Sequence, residues 1–154
     1  MLPAAAGLRH AQLLRGRQPV ITVLFACVHN AGRSQMAAAF FNQLADAASA
    51  RAISAGSAPA AAVHPEVVEV MREKGIDLAA QRPQRLTAAL ASQAQVLVTM
   101  GCGDACPVVP GSRREDWALP DPKGRGAEAV RAIRDDIHAR VADLLARERL
   151  APRP

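Results

Sequence analysis

The stretch that most constrains the fold is residues 20–48. It opens with VITVLFA (20–26), an apolar run rich in β-branched residues that reads as a buried strand. It closes with SQMAAAFFNQLADAA. There Met36, Ala37, Phe40, Phe41 and Leu44 recur at helical spacing and predict a helix over Ser34–Ala48 with that face buried. A strand that runs straight into a helix is half of a βαβ unit, and such units build parallel sheets.

The alternation continues downstream. ARAISAGS (50–57) predicts a short strand ended by Gly56, and AQVLVTM (94–100) a buried one. HPEVVEVMREKG (64–75) predicts a helix with Pro65 in its first turn, Glu66 near its N-terminus and Gly75 as its stop. LTAALASQ (86–93) predicts a third, short helix. A last one spans Gly126–Arg149, with Val130, Ile133, Ile137, Val141, Leu144 and Leu145 on one face. Residues 101–122 read as one long loop, and loops of that length in compact domains are usually functional. Residues 1–18 read as a flexible N-terminal arm, 19–150 as a single catalytic domain, and the closing APRP as a frayed tail. The whole predicts a parallel sheet with helices on both faces, where ligands bind beyond the C-terminal ends of strands. Cys27 stands at such an end.

Composition then excludes several classes. No apolar run approaches the roughly 18 residues of a membrane span. The first 19 residues carry charges inside their apolar stretch and do not read as a signal peptide. Three cysteines is an odd number for a disulfide framework, so thiol chemistry in the cytoplasm is the expected setting. The net charge of +5 is spread among acids with no interleaved aromatics, which argues against nucleic acid. Positive potential suits a pocket for a small oxyanion equally well.

The loop Cys27-Val28-His29-Asn30-Ala31-Gly32-Arg33-Ser34 carries the chemistry. A thiolate is the reactive form of cysteine. Here the helix N-terminus, the Arg33 guanidinium and the Ser34 hydroxyl all favour the anion. Asn30 and Gly32 tolerate positive φ, which lets successive N–H groups turn inward as an anion nest. A tetrahedral oxyanion would rest on the N–H groups of Val28 to Ser34 and on Arg33, with the Cys27 sulfur beneath its central atom. A nucleotide P-loop does not fit, because the spacing and the lysine are missing.

This C-x5-R-S segment resembles the signature of the low-molecular-weight protein tyrosine phosphatases and of the arsenate reductases that share their fold. SAGS (54–57) and Asp121-Pro122 resemble further markers of that superfamily, in order, and the resemblance covers about residues 20–148. It implies an α/β three-layer sandwich, with a central parallel four-stranded sheet flanked by helices. It also implies that Asp121 protonates the leaving group, and that Ser54 hydrogen-bonds Asn30 to hold the loop. Some family members carry a glutamate at a potassium site four residues after the serine. Ala38 stands there, so bound potassium is not expected, and no metal or bound cofactor is assigned.

Within the superfamily, VTMGCGDACP (98–107) and EDWALPDP (115–122) resemble the arsenate-reductase branch. The chain has no tyrosine, and Lys123-Gly124 follow the Asp-Pro where phosphatases carry aromatics. The resemblance implies a relay in which Cys27 attacks arsenate, Cys102 attacks Cys27, and Cys106 resolves the disulfide, with reducing equivalents from thioredoxin. The two late cysteines stand closer together than in the best-known thioredoxin-coupled members. Cα atoms four residues apart on a helical turn lie about 6 Å from each other, within the ~4.4–6.8 Å of a disulfide. Other readings stay open: a low-molecular-weight thiol such as mycothiol with a glutaredoxin-like protein as reductant, a phosphatase, or an arsenic-responsive binding module. A zinc site at Cys102 and Cys106 would need two more ligands, with His64 the sole plausible recruit. Trp117 reads as a packing anchor for the long loop, and His29 as an outward-facing loop residue.

Overall fold

The computed structural model describes residues 19–101 and 111–151. The expected arm 1–18 and both late cysteines, Cys102 and Cys106, lie outside the described residues. The elements are β1 (Ile21–Cys27), α1 (Arg33–Leu44), β2 (Ala50–Gly56), α2 (Pro65–Arg72), α3 (Ala88–Ala91), β3 (Val96–Thr99), β4 (Arg113–Asp116) and α4 (Ala127–Arg147). The strands form one parallel sheet in the order β2-β1-β3-β4, as the fold class implied.

Alternation along β1 sorts its side chains between two layers. Val23, Phe25 and Cys27 join the larger core, with Met36, Phe40 and Phe41 of α1, Val67, Val70 and Met71 of α2, and the predicted apolar face of α4. Leu24 and Ala26 face the other way, onto a small cluster with Ala91, Ala94 and Leu97. The two helical layers are therefore unequal, since only the single turn of α3 lies over the second face. With so few aromatics, the central contacts are specific ones. Phe25 meets Phe41 edge-on at 5.9 Å and tilts against Trp117 at 5.6 Å.

Two expectations are corrected. Residues 113–116 are not loop but the fourth strand, Arg-Arg-Glu-Asp, whose burial is slight throughout. A strand at a sheet edge has a neighbour on one side only, and charge there discourages further pairing; Arg113 and Glu115 instead pair with Glu148 and Arg147 at the end of α4. Helix α1 ends at Leu44, not Ala48. The alanines that follow would propagate a helix, but Asp46 donates its N–H to Leu150 O and its carboxylate accepts from Ala48 N and Ser49 Oγ. Tertiary pairing and a side-chain turn override propensity there. No helix among the described residues is long and apolar enough to cross a membrane.

Candidate active site

β1 delivers Cys27 to the C-terminal edge of the sheet, opposite Gly56 of β2. Its thiol is buried at 2% exposure. The loop that follows has all its carbonyls engaged on its outer side. Cys27, Val28, His29 and Ala31 accept from the backbone N–H groups of Ser57, Ala58, Ala60 and His64 at 2.8–3.2 Å. Asn30 O accepts from Gln35 Nε2 at 3.1 Å, and Gly32 O from Met36 N at 3.0 Å. In a trans peptide the N–H of the next residue points opposite to the carbonyl. The N–H groups of Val28, His29, Asn30, Ala31, Gly32 and Arg33 therefore point away from these carbonyl partners.

Two features make that curvature possible. Asn30 sits at φ +50°, a left-handed conformation that asparagine tolerates better than most residues. Gly56 lets β2 close against the loop, because a Cβ there would come within 2.6 Å of Val28 O.

Asn30 is fully buried and fixed by its amide. Its Oδ1 accepts from Gln84 N at 3.0 Å and from Gln35 Nε2 at 3.3 Å. Its Nδ2 donates to Ser34 Oγ at 2.7 Å. Ser34 Oγ in turn lies 2.9 Å from Cys27 Sγ. The Gln84 N–H can only donate, so the amide atom facing it must be the oxygen. That orientation leaves the Ser34 proton free to point at sulfur. Ser54 does not bond Asn30 as expected; its carbonyl instead accepts from Gln84 Nε2 at 2.8 Å.

The far wall is the segment 117–122. Trp117 is buried and donates its backbone N–H to Thr99 O, so it anchors this segment as predicted. Arg33, 8% exposed, donates from Nη1 to Leu119 O at 3.0 Å. Pro122 packs on Gly32, where a Cβ would meet its ring at 2.7 Å. Asp121 is thereby brought to the side of Arg33. Burial pushes its carboxyl up, but the Lys123 N–H at 3.0 Å and the positive field of Arg33, His29 and His64 outweigh this. The net result is a carboxyl below its usual range, ionised at neutral pH. His29 is half-buried, not fully outward.

A family model for low molecular weight phosphotyrosine protein phosphatases matches residues 22–152. The chain belongs to that family. Similar curated proteins include a putative arsenate reductase of Halobacterium salinarum, 43% identical over 126 residues, covering 78% of this chain and 87% of that one. A glutaredoxin arsenate reductase of Synechocystis is 34% identical over 128 residues, covering 81% and 96%. Among solved structures, the thioredoxin-dependent arsenate reductase of Corynebacterium glutamicum aligns with TM-score 0.73 at 39% identity. That match takes in 84% of this chain but only 62% of the Corynebacterium chain, which is the longer of the two.

In this member of the phosphatase family, Gln35, Gln84 and the Leu119 carbonyl were not singled out from sequence. Gln35 had a weak signal, as an amide at the start of an otherwise apolar helix face. A backbone contact such as Leu119 O has none. Among the described residues no group of three or more His, Cys, Asp or Glu side chains could hold a metal ion.

Gly101 sits beside the guanidinium. At φ +94° it adopts a conformation costly for other residues, and a Cβ would come within 2.8 Å of Arg33 Nη1. Gly101→Ala is therefore expected to displace Arg33 from Leu119 O and weaken phosphate or arsenate binding by about tenfold, the loss of one charge-assisted hydrogen bond. Isothermal titration with phosphate checks this, and unchanged affinity would free Arg33 from that steric control.

Proposed function

We propose that the protein reduces arsenate to arsenite with Cys27 as the nucleophile and Cys102 and Cys106 as the relay, regenerated by thioredoxin. The observation that carries this reading is the contact between Gly101 and Arg33. Gly101, which directly precedes Cys102 in the sequence, lies beside the Arg33 guanidinium, within a family fold whose relatives include arsenate reductases.

In this reading the Cys27 thiolate attacks arsenic(V) held by the loop N–H groups and Arg33, and an As–O bond breaks to release water. Asp121 supplies the proton. Bound arsenate adds negative charge beside this carboxylate and occupies Arg33, and both effects favour its protonated form. The Cys102 thiolate then attacks the Cys27 sulfur. The S–As bonding pair passes to arsenic, which leaves as arsenite, and a Cys27–Cys102 disulfide forms. Cys106 attacks Cys102, freeing Cys27, and the dithiol of thioredoxin reduces the Cys102–Cys106 disulfide. Residues 19–150 act as one catalytic domain in the cytoplasm, with 1–18 as an appended arm.

Asp121→Asn cannot donate that proton, so the first step should slow by about 10²–10⁴-fold while thiol–disulfide exchange is preserved. Rapid-quench measurement of Cys27 arsenylation tests this. Equal rates in the variant would assign the proton to another group.

The reading as a whole is tested by arsenate-dependent NADPH oxidation with thioredoxin and thioredoxin reductase, beside the same assay with mycothiol and a glutaredoxin-like protein. The similarity to a glutaredoxin arsenate reductase motivates the second arm. Cys106→Ser should release one arsenite per enzyme and stall as a Cys27–Cys102 disulfide, visible by mass spectrometry of digests. Cycling of Cys106→Ser at the parent rate with thioredoxin would remove Cys106 from the relay. Cycling only in the second arm would replace thioredoxin as the reductant. Hydrolysis of p-nitrophenyl phosphate without arsenate turnover in either arm would make the protein a phosphatase.

A further inference from the structure

The geometry points to Gln35 as a positioning residue that sets the reactivity of Cys27 from behind the loop, acting through Asn30 and Ser34. This inference rests on Cys27 being the nucleophile, as in the function proposed above.

Gln35 follows Ser34 directly, but its side chain leaves the helix on the side away from the sulfur. It lines a cavity of about 380 Å³ together with Asn42, Ser54, Asp77 and Gln84. It is 5% exposed, and its Nε2 is shared between Asn30 O at 3.1 Å and Asn30 Oδ1 at 3.3 Å. One amide thus grips both the backbone and the side chain of the residue at φ +50°. From there the donors run from Gln35 Nε2 to Asn30 Oδ1 and from Asn30 Nδ2 to Ser34 Oγ, and when Cys27 is a thiolate the Ser34 hydroxyl, 2.9 Å away, is the donor to its sulfur. Every link is buried, and hydrogen bonds in a buried chain polarise one another. The Ser34 proton stabilises the thiolate only while Asn30 Nδ2 occupies the lone pair facing it. Asn30 in turn holds that orientation because two donors, Gln84 N and Gln35 Nε2, converge on its oxygen.

The chain of donors has a consequence that a packing role would not share. Removing the Gln35 amide should move the pH dependence of Cys27, and it should do so only through Ser34. The experiment alkylates the full chain with iodoacetamide across a pH series. The Cys27 peptide is followed by mass spectrometry, which separates it from Cys102 and Cys106. Gln35→Met keeps the length and removes the donors. At neutral pH it should slow Cys27 alkylation by about tenfold, the scale of a buried hydrogen bond to a charged group, and shift the midpoint upward. The rate well above the midpoint should be unchanged. Gln35→Glu, which keeps polarity but presents an acceptor to Asn30, should shift the midpoint in the same direction and serves if the apolar variant does not fold. In a Ser34→Ala background, Gln35→Met should add nothing, because the path to sulfur is already cut.

An unchanged midpoint in a folded Gln35 variant overturns the inference, and so does a shift that adds in full to that of Ser34→Ala. Alkylation needs no arsenate, so the outcome is independent of whether arsenate is turned over. If Cys27 proves unreactive in the parent protein as well, the proposed function fails instead.

Discussion

Cys27→Ser is expected to abolish arsenate reduction, by on the order of 10⁶-fold, the scale seen when an enzyme's nucleophile is removed. A hydroxyl is far less acidic than a thiol, and the side chain that Cys27 meets, Ser34, is not a base. The fold should be retained. Serine is smaller than cysteine, and at this buried position its hydroxyl has Ser34 Oγ as a ready partner. The loop itself is held by carbonyl contacts to residues 57–64, which the substitution does not touch. Single-turnover arsenite release, with the melting temperature measured on the same sample, checks both halves. Substantial residual reduction by a pure, folded variant would remove Cys27 from the chemistry.

Arg33→Lys is expected to raise the Michaelis constant for arsenate by about 10–150-fold, the range of one lost hydrogen bond to a charged group. The charge survives, but the geometry does not. Arg33 already commits Nη1 to Leu119 O, and its planar fork leaves further donors for two oxyanion oxygens at once. An ammonium group at the same place must choose between the wall and the substrate. Steady-state kinetics would show the effect, and a Michaelis constant equal to the parent's would contradict the assigned role.

Sequence and structure agree wherever burial writes a strong period. β1 is hemmed in on both faces, so its apolar run is unbroken, and α4 shows all six of its predicted apolar residues in the core. Cys27, Asn30, Arg33 and Ser34 stood out because each residue type has a distinct physical reason to lie near an anion; Gly32 was expected to use a positive φ, but it sits at φ −144°, and its lack of a Cβ instead makes room for the Pro122 ring. β4 was not legible because an edge strand of arginines and acids leaves no hydrophobic trace. The support of Asn30 was misassigned to Ser54 because its real partners are a backbone N–H of Gln84 and a neighbouring amide. Which polar groups meet across 54 residues of chain depends on loop path, not on local pattern. Asp121 was singled out by its Asp-Pro context, and the structure sets its carboxyl in the field of Arg33. Its field was not readable, since it depends on Arg33, His29 and His64 converging from other segments.

Trp117 gives this protein an optical property. It is the sole tryptophan, and the chain has no tyrosine, so nearly all near-ultraviolet emission comes from one indole. That ring is 4% exposed, tilted against Phe25, with its Nε1 on Glu115 at 2.9 Å. It stands two residues before Leu119, the carbonyl that Arg33 grips. Stopped-flow emission therefore times what happens at the root of the Asp121 segment when an oxyanion reaches Arg33, with no introduced label and no second fluorophore to subtract.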